Sequence, residues 1–536
     1  MAGGGIIQLV AYGAEDLYLT HEPQITYFKV TYRRHTNFST ETIPIYFSQD
    51  NPDFGERMSC TLSPEGDLIN KAYIVVKLPK ISSVSGSGEG VVDSNGVSVS
   101  GHNKFAWVRR LGYVLLKKVE IEINGRVIDR HYGEWLNIWN ELVGPRTRGN
   151  DKNIGHIPEL YDFTETKDEY TLVIPLQFWF CRNSGLALPM VALKYSEVKI
   201  NVEFNDLENC YVTTPTHYIE CNNDLVNFKK YEYIEQKIDG VKRAGLFVNY
   251  DIINKRLYYL KFTKEKFKGI DYDGDASTLT DLETQTIIES DSSVKYQIVG
   301  AESDFIATPN ISVKSKSNYM PSLSYISIRE SFLLVDYVFL DSEERQKMAK
   351  AKHDYLIEQL YFTPNVPIES INPKIKIHAD QPAKMMAWVV QSDNVYNSND
   401  TFNYTCSHRR ERKESKLGHV TLGNTTGDSI VKEETVLLNG KERVSFRSQE
   451  YFTWCQPNQH FNYSPSKGTN IYSFGFFPEA IQPSGSCSFG QIESIEVKLK
   501  LIPSIGINGS GVFRCYVLAQ NILRVSSGLA ALLFNR

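Results

Sequence analysis

The sequence lacks most of the features that would announce a catalyst or a membrane protein. No run reaches the roughly 18 uninterrupted apolar residues that a helix needs to cross a bilayer, so no spanning helix is expected. There is no GxSxG elbow, no HExxH helix and no GxxxxGK[ST] loop, which removes the commonest signatures of acyl transfer, zinc hydrolysis and phosphate cradling. The eight cysteines (Cys60, Cys181, Cys210, Cys221, Cys406, Cys455, Cys487 and Cys515) contain no CxxC pair, and the 11 histidines do not cluster at ligand spacing. Reduced structural thiols and no metal or cofactor are therefore expected. A cationic excess is missing too: 58 Lys and Arg stand against 63 Asp and Glu, a formal charge of −5. Wrapping nucleic acid needs cations that release counterions, so no direct nucleic-acid contact is expected. The first residues, MAGGGIIQLVAYGAEDLYL, carry Glu15 and Asp16 inside their apolar run, and Ala2 stands where myristoylation requires glycine. Neither a secretory leader nor that lipid anchor is expected.

What is present points to a folded β protein. Hydrophobic residues make up 41% and aromatics 12%, with 31 Tyr and 27 Phe, a composition rich in strand formers. At 536 residues the chain exceeds what one core usually serves. Period-two or continuous β patterning predicts strands over 38–47, 58–62, 68–78, 115–123, 170–180 and 197–204, after a short amphipathic helix over 24–34. The stretch 82–103 is so poor in large apolar residues that it reads as an exposed loop, and 397–429 reads the same way.

The strand order occurs twice. VEIEINGRVIDR (119–130) and VLLNGKERVSFR (436–447) each combine a strand, an Asn-Gly turn and a second strand, with the turns 315 residues apart (439 minus 124). Aromatics follow both: Tyr132, Trp135 and Trp139, then Tyr451, Phe452 and Trp454. LVIPLQFWF runs through Ser184-Gly185 to YSEVKINVEF, as IYSFGFF runs through Ser484-Gly485 to IESIEVKLKLI, an offset of 300 (484 minus 184). A weaker match aligns 26–43 with 343–360. Repetition at a near-constant long offset predicts two copies of one domain rather than a short-period solenoid. About eight short strands per copy, with long non-hairpin connections and few helices, fit a two-sheet jelly roll better than a meander. The fold class expected is all-β: two tandem eight-stranded jelly rolls, a double jelly roll.

The expected organisation is an N-terminal arm over 1–24, a first jelly roll over 25–341 with an insertion at about 205–325, a linker helix over 342–353, a second jelly roll over 342–525 including that helix, and a C-terminal tail over 526–536. The helix is predicted to be capped by Ser342, with Glu343 and Glu344 in its first turn and Lys350 and Lys352 near its end. The arm has too little apolar surface to fold alone and is expected to order against a partner, and the tail GLAALLF to dock in the same way.

Several long blocks resemble one family. GGGIIQLVAYGAEDLYLTHEPQITYFKVTYRRHTNF (3–38), IPLQFWFCRNSGLALPMVALKYSEVKINVEF (174–204), DYVFLDSEERQKMAKAKHDYLIEQL (336–360) and YSFGFFPEAIQPSGSCSFGQIES (472–494) are similar to the major capsid proteins of the nucleocytoplasmic large DNA viruses, the group that includes phycodnaviruses and mimivirus-like giants. The resemblance covers most of the chain outside 205–325 and the two polar loops. It implies a double jelly roll that forms homotrimers of pseudo-sixfold outline, tiled into an icosahedral shell over an internal membrane that the chain does not span. Further implied partners are neighbouring capsomers, minor capsid proteins and penton proteins. The implied location is the virion, assembled in host cytoplasm. Many family members lack so long an insertion, and the first long loop differs from theirs.

Other readings remain open at this point. A jelly-roll carbohydrate-binding or adhesion protein would be monomeric and tie a glycan signal to 397–429. A glycoside-processing enzyme would need two carboxylates across one cleft at about 5–10 Å. Asp271, Asp273 and Asp275 imitate the start of a calcium loop, but the glycine falls at its fourth position (Gly274) and Leu282 occupies the closing position, so an acidic turn is the plainer reading. HRRERKESK (408–416) has Glu411 and Glu414 interleaved and no aromatics, which suits a solvated loop. Among the glycosylation sequons, the loop asparagines Asn399, Asn403 and Asn424 are the candidate sugar acceptors that the resemblance suggests.

Overall fold

The structure, a computed structural model, describes the chain except residues 1–3, 12, 15, 17–19, 24–33, 50–51, 82–102, 145–147, 230–231, 264, 270–295, 302, 311–312, 319–322, 324, 407–428, 504–510 and 535–536. The amphipathic segment 24–34, the loop 82–103, the acidic turn 271–276 and the basic loop 408–416 therefore lie wholly or almost wholly outside the described residues.

Eight strands form the first barrel: β1 (Phe38–Tyr46), β2 (Arg57–Thr61), β3 (Leu68–Leu78), β4 (Leu116–Ile123), β5 (Arg126–His131), β6 (Tyr170–Pro175), β7 (Val198–Phe204) and β8 (Glu330–Leu340). Eight more form the second: β9 (His353–Pro367), β10 (Lys374–Ile377), β11 (Pro382–Ser392), β12 (Val431–Leu438), β13 (Lys441–Ser448), β14 (Thr469–Ser473), β15 (Ile495–Leu501) and β16 (Gly511–Ser526). Each barrel pairs its strands antiparallel in two sheets. The orders are β1-β8-β3-β6 and β2-β7-β4-β5 in the first, and β9-β16-β11-β14 and β10-β15-β12-β13 in the second. Adding eight to every label of the first barrel reproduces the second. This is the jelly roll expected from the repeated strand order, present twice.

The Asn-Gly turns show why the repeat is legible locally. Asn124 and Gly125 sit at φ 53° and 78°, and Asn439 and Gly440 at φ 49° and 75°. Two consecutive left-handed residues make the tight turn that matches the twist of a hairpin, and a glycine second in the pair avoids the Cβ penalty. The asparagine side chains also brace the next layer. Asn124 Oδ1 accepts from Glu197 N at 3.0 Å and Asn439 Oδ1 accepts from Ser494 N at 3.0 Å, so each turn is tied to the segment entering β7 or β15.

Three sequence expectations differ from the structure. The strand expected over 170–180 stops at Pro175, and Trp179–Arg182 forms a helical turn. Phe178, Trp179 and Phe180 are all buried. An extended strand with one wet face would expose the middle one, so the chain must coil to bury three in a row. The linker helix is Ser342–Lys350, ending before Ala351 because the chain becomes extended to enter β9. Its cap is Asp341 rather than Ser342: the Asp341 carboxylate accepts from Glu343 N and Glu344 N at 3.0 Å each. Finally, the tail GLAALLF folds on its own chain. Ser527 (φ 55°) and Gly528 (φ 83°) turn it back, and Leu529–Leu532 pairs with the end of β16.

Between β7 and β8 the inserted segment builds a separate seven-stranded sheet whose described strands include Tyr233–Ile238, Val241–Asp251 and Arg256–Lys261. It has its own small core, with Ile219, Phe247, Leu257, Tyr259 and Ile298 at its centre.

Inside the second barrel, Glu434 is buried and Trp388 Nε1 donates to its carboxyl at 2.7 Å. Burial pushes the Glu434 carboxyl up to about 8, against which the indole bond pulls down only partly. A carboxyl whose folded pKa is raised holds its proton in the folded state where the unfolded chain has lost it, so stability is greatest below the unfolded value and declines as pH rises toward 8. The melting temperature is expected to fall between pH 5 and pH 8.5, and Glu434→Gln to flatten that fall, with a higher melting temperature than the parent at pH 8.5. An unchanged pH profile in Glu434→Gln would remove Glu434 as its source.

Candidate assembly surfaces and the seam between the barrels

β11 and β16 read as nearly continuous apolar runs, PAKMMAWVVQS and GVFRCYVLAQNILRVS, where a strand with one wet face would alternate. The reason is that both faces of their sheet are covered. Met386, Trp388, Val390, Phe513 and Val517 point into the core of the second barrel, whereas Met385, Ala387, Val389, Tyr516 and Leu518 join the core of the first. The first barrel thus seals the outer face of the second barrel's β9-β16-β11-β14 sheet.

On the first-barrel side, the sealing surface is β5, the helix Gly133–Leu142 and the coil at 178–182. The helix starts hard against the chain before β4, where a Cβ on Gly133 would lie 1.9 Å from the Tyr113 carbonyl oxygen, so only glycine fits. Glu134 and Glu141 are seven residues apart, two helical turns, and share a face. That face is turned toward the second barrel. Arg514 on β16 donates to the Glu134 carboxylate through Nε at 2.7 Å and Nη2 at 2.8 Å, while Tyr516 and Tyr404 donate their hydroxyls at 2.7 and 2.9 Å. Glu141 accepts from Ser466 N and Oγ at 2.7 Å each and is paired on its own barrel with Arg110. Below the helix, Arg182 and Lys384 both bond Glu358 on β9, and Lys384 also donates to the Ala480 carbonyl at 2.8 Å. At the strand edges, Leu360 N donates to Asp129 at 2.9 Å and Gln359 donates to the Ile128 carbonyl. Rings fill the gaps: Tyr132 lies 4.4 Å from Phe362, and Arg182 lies 4.1 Å over Trp139.

Burial alone would raise the Glu134 carboxyl, but the Arg514 guanidinium and the two tyrosine hydroxyls outweigh it and hold the group below the usual carboxylate range. The same environment pushes the Tyr404 and Tyr516 hydroxyls well above theirs. Every oxygen of Glu134 is engaged, so it clamps two barrels and has no lone pair left for a substrate. All eight cysteines are free; Cys60, Cys210, Cys221 and Cys515 are buried and Cys406 and Cys455 are exposed, and burial pushes the Cys60 and Cys221 thiols up to about 12.

Two of the three candidate sugar acceptors are occupied structurally. Asn399 Nδ2 donates to the Glu208 and Tyr211 carbonyls at 2.6 and 2.8 Å, bridging a second-barrel loop to the first copy. Asn403 is buried, donates to Asp400 at 3.0 Å and accepts from Thr405 N and Oγ1. Asn424 lies outside the described residues. A glycan on Asn399 would break at least one of the two bonds donated by Nδ2, the nitrogen that carries the sugar, and one on Asn403 would have to enter a buried site.

None of the charged residues of the seam was identified from sequence as a functional group. The available signal was a charge inside an apolar strand, Lys384 in AKMMAWVV and Arg514 in VFRCYVLA, since such a group is tolerated only when paired.

The comparisons agree with this architecture. A family model described as "Major capsid protein N-terminus" matches residues 26–251, and "Large eukaryotic DNA virus major capsid protein" matches residues 344–531. The chain is 40% identical to "Probable capsid protein 4" of Acanthamoeba polyphaga mimivirus over 99% of both chains. It is 31% identical to the major capsid protein of Phaeocystis pouchetii virus, again over 99% of each. In fold it is similar to the Faustovirus major capsid protein, with a TM-score of 0.64 at 13% identity over 96% of this chain and 94% of that one. A chain of the PBCV-1 virus capsid gives a TM-score of 0.59 at 21% identity over 95% and 100%.

Removing one partner of a buried ion pair costs about 3–5 kcal/mol, because the other charge is left stranded. Glu134→Ala is expected to lower unfolding stability by about that amount, and Glu134→Leu combined with Arg514→Met to recover most of it, both read from denaturant midpoints. Glu134's depressed pKa makes its contribution present at neutral pH and lost as pH falls through the folded value. Single and double variants of equal stability would show that the clamp is not the seam's main tie. Peptide mapping of virion-derived protein is expected to find Asn399 and Asn403 unmodified, and high glycan occupancy at Asn403 would show that the 393–405 loop packs differently in the particle.

Proposed function

The chain belongs to the major capsid proteins of large eukaryotic DNA viruses, and from that premise we propose that three copies form a capsomer of pseudo-hexagonal outline that tiles an icosahedral shell. A capsid subunit works by shape. Its location is the virion capsid, and its role there is structural. The observation that carries the capsomer reading is the shared strand order of the two barrels within one clamped body. Two barrels of one strand order per chain, taken three times, supply six similar flanks, which is what hexagonal packing requires.

In this reading the shell is assembled in host cytoplasm and lies over an internal membrane without crossing it, with minor capsid and penton proteins as further contacts. No described helix is long and apolar enough to cross a bilayer. The N-terminal arm supports a contact outside the subunit: within it, Gly4–Val10 is helical, and Ile6, Ile7, Leu9 and Val10 are all exposed. Four apolar side chains left in water by the chain's own fold are suited to a neighbour in the shell.

The native mass of the purified protein is expected to be about three times 61.1 kDa. A single-chain mass, with glycan binding abolished by altering 397–429, would overturn the capsomer in favour of a carbohydrate-binding role. Deleting residues 2–20 is expected to leave the three-chain species soluble but to reduce the yield of closed particles, and an undiminished yield would release the arm from assembly.

A further inference from the structure

Where the helix Gly133–Leu142 meets the second-barrel loop 399–403, the seam is not filled. A chamber there has about 30 Å³ open to the centres of oxygen-sized atoms, room for about two waters. Its first-barrel wall carries Arg109, Arg110, Glu141 and His156, and its second-barrel wall is the 399–403 loop with Ser466.

The hydrogen-bonding inventory of this wall is unbalanced. His156 is 5% exposed, and neither of its ring nitrogens has a partner in the chain. Buried polar side chains are almost always hydrogen-bonded, so an imidazole left this way calls for a partner from outside the chain. The Arg109 guanidinium makes no hydrogen bond or ion pair among the described residues; it lies 5.3 Å over the Tyr161 ring, against which His156 also packs at 5.5 Å. Arg110 is buried and bonds Asn137 and Glu141 through Nη1 alone, which leaves the donors on Nε and Nη2 unspent. The acids of the wall, by contrast, are engaged. Glu141 accepts from Arg110 and from Ser466 N and Oγ, and Asp400 accepts from Asn403 Nδ2 at 3.0 Å. The chamber therefore offers donors in surplus over acceptors, and the surplus lies on two cations and an imidazole.

Electrostatics agree with that inventory. Burial, with the Arg110 and Arg109 charges behind it, pushes the His156 imidazole down to about 3, so the ring is neutral at physiological pH and presents one N–H. The field at the back of the chamber is thus positive in spite of the nearby acids. A ligand that fits must be small, negative and able only to accept, or nearly so. The compact oxygen tetrahedron of a phosphate meets all three conditions, and charge-assisted bonds from guanidinium groups to such oxygens are among the strongest that side chains make.

We propose that this chamber binds one free tetrahedral oxyanion of the phosphate type, held by Arg109, Arg110 and His156 of the first barrel against the 399–403 loop of the second. The occupied site is a further tie across the seam, and its strength follows the ion's concentration, because a ligand that binds only the folded state stabilises that state by mass action. The site lies within one chain and does not depend on how many copies assemble.

The test is calorimetric titration of the full-length protein with inorganic phosphate, at ionic strength held constant with chloride. One ion per chain is expected, with affinity lowered about tenfold or more in Arg109→Gln and in His156→Phe. Both variants remove a donor that no group in the chain uses, so their circular dichroism spectra are expected to match the parent's. Hydrogen exchange on the unsubstituted protein needs no variant: amides in 399–403 are expected to slow in phosphate and not in chloride. Adenosine monophosphate separates the free ion from a phosphate carried on a larger molecule, and it is expected to bind more weakly than inorganic phosphate. No binding of phosphate to the parent, or equal binding by the parent and both variants, would overturn the site. Tighter binding of the nucleotide than of inorganic phosphate would overturn the free ion as its occupant.

Discussion

A sheet that is dry on both sides determines how this molecule is built. Once the outer face of β9-β16-β11-β14 is given to the first barrel's core, the barrels have no freedom to swing, because separating them would expose Met385, Val389, Tyr516 and Leu518 to water together. The linker helix is not what fixes them: it has no buried residue and its side chains touch the first barrel's side through Met348, beside Leu68, Ala187 and Val338, and through Arg345, paired with Asp67 at 2.8 Å. The buried charges add direction to the apolar contact. Glu134 with Arg514, and Glu358 with Arg182 and Lys384, are satisfied in only one docking geometry, and any slip strands a charge in a dry interface.

This rigidity suits a shell subunit. A tile must transmit spacing from one neighbour to the next, and a hinge between its halves would let that spacing vary. Duplication explains how such a tile arises from one barrel, and divergence explains why the halves no longer match in composition. The seam surfaces are free to use buried ion pairs, because their partner is always present. β13, the counterpart of β5, has no buried residue and carries Lys441, Arg443 and Arg447. The insertion between β7 and β8 departs furthest from the repeat, although its Leu246, Val248, Leu260 and Phe262 join the first barrel's core.

Much of the fold was legible in the sequence because its determinants are local. Asn124-Gly125 and Asn439-Gly440 announce hairpins through backbone conformation alone, and the strands around them follow from side-chain pattern. The linker helix was legible from its acidic start and basic end, though its cap shifted by one residue. The seam was not legible, because its ties join residues as far apart as Glu134 and Arg514, 380 positions in sequence, and no local period records such a pairing. The coil at 179–182 was hidden for a related reason: LVIPLQFWF reads as one long strand until the need to bury three successive aromatics is known. Asn399 and Asn403 fit a sugar-acceptor motif, yet their amides brace loops, a use that the motif cannot express.

Imaging the assembled shell by electron microscopy, at a resolution that separates individual barrels, tests the central claim most directly. The account predicts six barrel densities around each capsomer, with the two barrels of every chain at one fixed mutual angle. Two barrels of one chain seen at variable mutual angles would contradict it.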